Sequence, residues 1–317
     1  MIETLRQIAT FNVNGWEEDE FGVFPQGARA KGAYLTPGDV PEAVLRPGWR
    51  YLFKQSRKCY PEQFWAEIVA YRIGCLMGIK VPPAFAAIEG SSGACGALIE
   101  WFYDEGSDIF IWAGEFLQRM FPDFDREKGT THTMHGNEIL LRAMAVLAKA
   151  EDRSFRENWR QWWVDALLFD ALIGNTDRHQ DNWGFIFRNN PPAITLAPMF
   201  DNGTSLGHER HAEQFSKWRA RDVDKYIAGG KHQVRWGFEP QKGEQRPFEV
   251  VKLALAKWPA TRAGAMERLN FSPDAMAQSL VDLAELQLPV PFGRERMDFM
   301  LQLLTRRYNE LKVILFE

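Results

Sequence analysis

The 317-residue chain has few of the features that mark secreted, membrane-spanning or strongly charged proteins. Its three cysteines are an odd number without the spacing of a metal site, so we expect free thiols in a reducing compartment. No basic-then-apolar signal segment opens the sequence, and no run of about 18 apolar residues could span a bilayer. The net charge of −4 gives no sign of bulk binding to nucleic acid or membrane. We therefore expect a cytoplasmic protein with no membrane insertion and no direct nucleic-acid binding.

The most informative feature is a dense polar segment, residues 174–182, between an apolar helical run and a β-prone run. Burying so many polar groups is costly unless each is paired, and catalytic residues commonly lie on loops held by rigid neighbours. Asp177 and Asn182, with Asp201 downstream, offer the hard oxygen ligands that Mg²⁺ prefers and a possible general base. Asp170, on the preceding helix, either orients this segment or is a capping or surface charge. The pattern indicates a phosphoryl-transfer site.

Two charged residues of the N-terminal third fit the same chemistry. The alternating residues 49–54 predict a strand that ends on Lys54. Pro61, followed by apolar residues at helical spacing, predicts a helix that ends at Gly78, and Glu67 lies beside its apolar stripe. A strand lysine followed by a helix glutamate is the arrangement in which protein kinases hold a lysine against nucleotide phosphates. An ordinary solvated charge is the alternative interpretation of each residue.

A short segment upstream, residues 27–31, could contact phosphate. Gly27 and Gly32 lie around two cations, Arg29 and Lys31. Glycine lets backbone amides approach a phosphate closely, and the cations add favourable charge. The segment is neither a Walker A nor a GxGxxG motif, and a solvated hairpin turn is the alternative.

The character of the chain changes after Phe102, where strand-like segments give way to a polar break and then to a mainly helical region. We predict a small β-rich N-lobe over residues 1–104 and a larger, mostly helical C-lobe over residues 105–317. The backbone of Glu100 to Phe102 would then be a hinge against which an adenine packs. Apolar periodicity predicts helices over residues 109–120, 136–150 and 157–173.

Four segments carry a resemblance to a known family. Gly174-Asn-Thr-Asp-Arg-His-Gln-Asp-Asn182 resembles the catalytic loop of HipA-like kinases, and its core is also similar to that of phosphatidylinositol 3/4-kinases. Ala197-Pro-Met-Phe-Asp201 resembles the metal-binding segment of the HipA-like family. Gly27-Ala-Arg-Ala-Lys31 resembles its glycine-rich motif, and Tyr51-Leu-Phe-Lys54 resembles its ATP-binding lysine strand. The resemblance runs in order from about residue 24 to residue 205.

This resemblance implies an α+β, bilobal, protein-kinase-like fold and an ATP- and Mg²⁺-dependent serine/threonine protein kinase. Such an enzyme would phosphorylate a protein hydroxyl and itself, and could act as a toxin with an antitoxin partner or as an effector delivered into a host cell. Asp177 would be the catalytic aspartate, with Asn182 and Asp201 as Mg²⁺ ligands. Arg178 and His179 would support either the loop or the developing charge. The implied ATP-binding residues are Lys54, Glu67, Gly27, Ala28, Arg29, Lys31, Glu100, Trp101 and Phe102.

The sequence departs from that family in two respects. Full-length HipA toxins carry an additional N-terminal subdomain, for which this sequence leaves no room, so we expect the shorter stand-alone form. HipA toxins also carry a serine in the glycine-rich loop whose autophosphorylation inhibits them. Here Phe24-Pro-Gln26 precedes the first glycine, without a serine or threonine, so that mode of inhibition is not expected.

Two other functions remain open from the sequence. A phosphatidylinositol-type lipid kinase would share the catalytic loop, but the chain has no basic amphipathic helix or polybasic run for a membrane surface. A pseudokinase would bind nucleotide or a partner without transferring phosphate. The pseudokinase alternative is disfavoured because a purely structural role does not require the joint presence of Lys54, Asp177, Asn182 and Asp201.

Overall fold

A computed structural model describes residues 5–19, 31–40, 44–129, 132–237 and 245–316, which form two compact units. The predicted phosphate-contacting residues Gly27, Ala28 and Arg29 lie outside the described residues. The predicted lobes are single stretches of sequence, whereas each unit combines several segments, so the division after residue 104 stays a prediction. Unit 1 consists of Met1–Trp101, Asp201–Val223 and Asn270–Arg306, and unit 2 of Phe102–Phe200, Asp224–Leu269 and Arg307–Glu317.

Unit 1 is built on a six-stranded sheet. Its strands are β1 (Phe11–Asn12), β2 (Glu17–Glu18), β3 (Lys31–Leu35), β4 (Arg50–Gln55), β5 (Ala84–Glu89) and β6 (Ala94–Glu100). Their spatial order is β1-β5-β6-β4-β3-β2, with β1 parallel to β5 and the other neighbours antiparallel. β4 therefore lies between two strands, and Lys54 stands opposite Lys31 of β3 and Ala97 of β6.

The helix α1 (Phe64–Met77) of unit 1 packs on β5 and β6. Thirteen of its fourteen residues are buried, Glu67 among them, because apolar residues cover nearly all of its surface. The helix ends at Gly78, whose φ of 65° is in the left-handed region that glycine adopts without strain. α1 is thus a rigid support for any residue that it carries.

Unit 2 contains a four-stranded sheet and most of the helices. The strands are β7 (Asp108–Trp112), β8 (Ser154–Phe155), β9 (Gly184–Asn189) and β10 (Pro192–Leu196), in the order β7-β9-β10-β8. The prediction of a helix from residue 109 is wrong for its first four residues. Ile109–Trp112 is rich in β-branched and aromatic residues and pairs with β9, so the helix begins only at Ala113.

Side chains cap the first turn of three of the remaining helices, at Thr133, Asn158 and Ser272. α4 (Trp159–Ile173) precedes the polar segment; it is capped by Asn158, whose side chain accepts a hydrogen bond from the Gln161 N–H (3.4 Å), and it is followed by Gly174. None of the helices within the described ranges has the length and apolar character needed to cross a membrane. The helices are α2 (Ala113–Met120), α3 (Met134–Ala150), α4 (Trp159–Ile173), α5 (Ala212–Phe215), α6 (Ala220–Ala228), α7 (Pro247–Lys257), α8 (Arg262–Arg268), α9 (Pro273–Gln278) and α10 (Arg294–Phe316).

Candidate active site

The part of the site that lies in unit 1 is a buried lysine that contacts two carboxylates. Lys54 lies on β4, and its side chain is only 8% exposed. Its Nζ lies 2.8 Å from Oε1 of Glu67 on α1 and 2.5 Å from Oδ1 of Asp201. One positive charge between two negative charges leaves the group with an excess of negative charge, and the Lys54 and Glu67 side chains are only 8% and 3% exposed. The group is therefore electrostatically suited to a bound cation.

The segment that begins at Asp201 is held on α1 by its backbone. Asp201 has a φ of 55°, a strained conformation for a non-glycine residue that costs on the order of 1–3 kcal/mol and persists where the surroundings enforce it. The next residue, Asn202, donates its N–H to Oε2 of Glu67 (2.9 Å). Gln63 donates from Nε2 to the carbonyl of Gly203 (3.2 Å). Glu67 therefore fixes both the lysine and the backbone that presents the Asp201 carboxylate.

In unit 2, the polar segment predicted as the catalytic loop folds around the backbone of Asp177. The Asp177 N–H donates to Oδ1 of Asn175 (2.9 Å). Its carbonyl accepts hydrogen bonds from the N–H of His179 (2.8 Å) and from Nδ2 of Asn182 (2.6 Å). Both backbone groups of Asp177 are thus anchored, while its side chain is half-buried. The backbone that carries the predicted catalytic carboxylate is therefore held in place by these hydrogen bonds.

Arg178 supports this loop from the inside. Its side chain and that of Asp170 are both 0% exposed, and they form a two-point ion pair with distances of 3.0 and 2.7 Å. Nη1 of Arg178 donates to the carbonyls of Asn182 (3.0 Å) and Phe200 (2.7 Å). Phe200 directly precedes Asp201 in the chain. Because a guanidinium with no exposed surface cannot contact a substrate, the structure favours the supporting role for Arg178.

Asp170 also binds a histidine that the sequence did not single out. His232 accepts the Val234 N–H at Nδ1 (3.1 Å), so its proton resides on Nε2 and is donated to Asp170 Oδ2 (3.2 Å). Asn175 donates from Nδ2 to Oδ1 of the same carboxylate (3.2 Å). Burial alone would raise the pKa of Asp170, but the Arg178 guanidinium and the His232 hydrogen bond hold that pKa below its usual range. Asp170 is therefore an ionised, fully buried anchor for the loop.

His179 lies within the loop, half-buried, and its Nδ1 accepts a hydrogen bond from the N–H of Asp181 (3.2 Å). Asp181 forms an ion pair with Arg126 of the same unit, 3.1 Å from Nε. The Nδ1 contact identifies the supporting contribution of His179 to the loop. A second contribution at its other ring nitrogen, toward developing charge, stays a prediction.

The residues predicted as the hinge lie where the chain passes from unit 1 to unit 2. The carboxylate of Glu100 accepts a hydrogen bond from the Tyr51 hydroxyl (3.1 Å), and burial raises the pKa of Glu100. Trp101 uses its N–H and its carbonyl in hydrogen bonds within unit 1. The ring of Phe102 stacks on that of Phe200 in unit 2, with centroids 5.2 Å apart. The predicted adenine contact of this stretch stays a prediction.

The two predicted Mg²⁺ ligands present the atoms that this ion prefers. In unit 2, Nδ2 of Asn182 is engaged by the Asp177 carbonyl, which leaves the amide oxygen Oδ1 as the atom for a cation. In unit 1, the Asp201 carboxylate is 35% exposed and already lies against the Lys54 ammonium. Carboxylate and amide oxygens fit Mg²⁺, which binds through few protein ligands together with substrate phosphates.

The described architecture belongs to the class of kinase-like folds. The chain superposes on the crystal structure of a Helicobacter pylori proinflammatory kinase, CtkA, with a TM-score of 0.67 and 15% identity, over 97% of each chain. The α+β, kinase-like fold expected from the sequence is confirmed. The chain belongs to the HipA-like C-terminal domain family, whose model matches residues 25–258.

Two further similarities accompany this assignment. The serine/threonine-protein kinase CtkA of Helicobacter pylori strain J99 is 45% identical over 42 residues, a match that spans 13% of this chain and 13% of that protein. HipA of Shewanella oneidensis MR-1, from a complex with HipB and operator DNA, aligns with a TM-score of 0.45 and 12% identity, over 94% of this chain and 67% of that one. At these levels neither match fixes a substrate or a partner.

Proposed function

We propose that this chain is an ATP- and Mg²⁺-dependent serine/threonine protein kinase that transfers the γ-phosphate of ATP to a protein hydroxyl and also phosphorylates itself. The observation that carries the proposal is the buried Lys54, paired with Glu67 and adjacent to Asp201. This is the arrangement in which kinases hold the lysine that contacts nucleotide phosphates. Membership in the HipA-like family and the anchored loop around Asp177 support the same activity.

Each residue has a definite task in this reaction. Lys54 contacts the ATP phosphates and Glu67 keeps its ammonium in place. Asn182 and Asp201 would hold Mg²⁺, which would neutralise charge on the phosphates. The acceptor hydroxyl oxygen bonds to the γ-phosphorus, the bond to the β–γ bridging oxygen breaks, and ADP leaves. Asp177 accepts the hydroxyl proton. We assign phosphate contacts also to Gly27, Ala28, Arg29 and Lys31, and the adenine contact to Glu100, Trp101 and Phe102.

The Asp177→Ala variant tests this function directly. With radiolabelled ATP, Mg²⁺ and a generic protein acceptor, the wild type should incorporate label into the acceptor and into itself. The variant should lose at least about 100-fold in rate, because a positioned general base contributes that much or more. Asp165→Asn is the control: Asp165 is a buried carboxylate of the same unit that pairs with Arg268 at 2.9 Å. This control should keep the wild-type rate per folded molecule.

The same assay separates the alternatives. Label transfer that continues unchanged in Asp177→Ala would contradict the proposed kinase mechanism. Transfer to phosphatidylinositol vesicles but not to protein would identify a lipid kinase. Stabilisation by Mg²⁺ and ATP without any turnover would identify a pseudokinase.

We further propose, from family membership alone, that the acceptor is a cellular or host protein and that the chain acts as a toxin or an effector. Comparing phosphorylated proteins in cells that express the wild type with those that express Asp177→Ala should reveal the acceptor. Growth arrest that is equal with both proteins would contradict a role that depends on phosphorylation.

A further inference from the structure

Another buried arginine, Arg296 of α10, contacts three separate groups of unit 1. Its Nε and Nη2 lie 3.1 and 2.6 Å from Oε2 of Glu62, just before α1. Nη1 donates to the carbonyl of Gly207 (3.2 Å), and Nη2 also donates to that of Arg210 (2.5 Å). The Arg296 side chain is 2% exposed, whereas that of Glu62 is 25% exposed, so the guanidinium itself is shielded from solvent. One planar group therefore joins the entry to α1 with the segment that follows Asp201.

These contacts act on the two stretches that carry the lysine's partners. Glu62 precedes Glu67 by five residues, and Gly207 follows Asn202 by five residues. Glu67 and Asn202 are themselves joined through the Asn202 N–H (2.9 Å). The segment therefore attaches to the α1 region directly through Asn202 and Gly203, and farther along the chain through Arg296.

The segment is also packed closely at this point. Gly207 has a φ of 69°, and a Cβ there would lie 2.6 Å from the ring of Phe299 on α10. The Phe215 ring stacks on that of Phe299 with centroids 4.3 Å apart and lies 5.0 Å from the Arg296 guanidinium. Leu206, between these contacts, is fully buried. Ring stacking, the contact of the Arg296 guanidinium with the Phe215 ring and the hydrogen bonds to two carbonyls therefore all restrain this segment.

In many kinases the activation loop, which follows the metal-binding aspartate, becomes ordered only when a phosphorylated side chain in it pairs with arginine. Here the hydroxyl residues between 202 and 216 are Thr204, Ser205 and Ser216. Ser205 is buried and donates from Oγ to the carbonyl of Asn202 (2.6 Å). The arginine next to the predicted catalytic aspartate, Arg178, has no exposed surface and is committed to Asp170 and two carbonyls. Neither the Ser205 hydroxyl nor the Arg178 guanidinium is therefore arranged to form a phosphate–arginine pair.

We propose that Arg296 is a positioning residue of the kinase, holding residues 202–215 against the entry to α1 and so keeping Lys54, Glu67 and Asp201 together without phosphorylation of that segment. The inference rests on the proposed function. It assigns to a buried arginine and two backbone carbonyls the task that a phosphate–arginine pair performs elsewhere.

The test compares Arg296→Lys with Arg72→Lys. A lysine at 296 keeps the charge but cannot contact two carbonyls and a carboxylate with fork geometry. We expect kcat to fall by about 10- to 100-fold, because small misplacements of catalytic groups lower reaction rates to about this extent. The dissociation constant for Mg²⁺-ATP should rise and amide exchange in residues 202–215 should accelerate, with the KM for the protein acceptor unchanged. Arg72 is equally buried in the same unit, but its ion pair is with Asp282, so Arg72→Lys should lose stability alone.

Phosphorylation is tested on the wild type. Protein treated with phosphatase, and shown by mass spectrometry to carry no phosphate, should begin transfer at the full rate, without a lag. A rate that appears only after phosphorylation of residues 202–216 would overturn the inference. The inference would also be overturned if Arg296→Lys kept the wild-type kcat per folded molecule. The same holds if Arg72→Lys showed the kinetic losses expected of Arg296→Lys. If Arg296→Lys does not fold, Glu62→Gln removes the carboxylate of the same pair and is judged by the same criteria.

Failure of the proposed function gives a different result. In that case the wild type transfers no phosphate at all. Mg²⁺-ATP affinity and amide exchange of the two lysine variants then decide the positioning role by themselves. Equal values for Arg296→Lys and Arg72→Lys would exclude it.

Discussion

Asp170 has three donors on its two oxygen atoms, namely a guanidinium, an imidazole and an amide. Such a carboxylate is stable in a fully buried position only while its charge stays paired. Because Arg178 passes the restraint on to the carbonyls of Asn182 and Phe200, any loosening at Asp170 should reach the predicted metal ligand Asn182. His232 is the donor that comes from a distant part of the chain.

Replacing His232 should therefore affect both stability and transfer. His232→Ala leaves one acceptor position of a buried carboxylate unpaired, and we expect the free energy of unfolding to fall by about 1–3 kcal/mol. His232→Gln can still present an N–H and should recover part of this loss. Urea unfolding measures the stability, and the rate as a function of Mg²⁺ concentration measures the effect on the loop. A Mg²⁺ dependence unchanged in His232→Ala would contradict the link from Asp170 to Asn182.

The end of α4 carries the chain into the loop, and a glycine sets its direction. Gly174 has a φ of 70°, and a Cβ on it would collide with the guanidinium of Arg307, which donates to the carbonyl of Ile173 (3.2 Å). Gly174→Ala should destabilise the protein by more than the roughly 1–2 kcal/mol expected for a left-handed alanine alone. Gly48→Ala supplies the comparison, since Gly48 has a φ of 62° with open space around it. Thermal unfolding of the two variants gives the difference, and equal losses would exclude the collision.

Elements with strong local signals could be predicted from the sequence. α4 begins and ends within about two residues of its predicted bounds, because an asparagine cap and a terminal glycine mark it. The prediction failed at β7, where the residues after Asp108 allow either structure and pairing with β9 decides. Of the site, Lys54 and Glu67 could be paired in advance, since a glutamate on the next predicted helix follows the strand lysine by thirteen positions. The contacts of His232 and Arg296 could not be predicted. No local pattern connects His232 to Asp170, 62 residues away, or Arg296 to Glu62, 234 residues away.

For the whole molecule, the effect of a ligand on thermal stability reports nucleotide binding separately from phosphate transfer. A ligand that binds only the folded state stabilises it by about 2.7 kcal/mol at a hundred times its dissociation constant. Mg²⁺-ATP should therefore raise the Tm of the wild type. It should not raise that of Lys54→Met, which keeps an unbranched apolar stem but removes the ammonium that pairs with Glu67 and Asp201.

Asp177→Ala should behave differently from Lys54→Met in the same experiment. Because the proposed task of Asp177 is to accept a proton from the acceptor hydroxyl, this variant should be stabilised by Mg²⁺-ATP nearly as much as the wild type while transferring almost no label. ATP with excess chelator is the control, since chelation removes the Mg²⁺ that Asn182 and Asp201 are proposed to hold. Equal loss of thermal stabilisation in both variants would mean that Asp177 serves nucleotide binding rather than proton acceptance. Full stabilisation of Lys54→Met would remove Lys54 from the ATP contacts and, with it, the observation on which the kinase assignment depends.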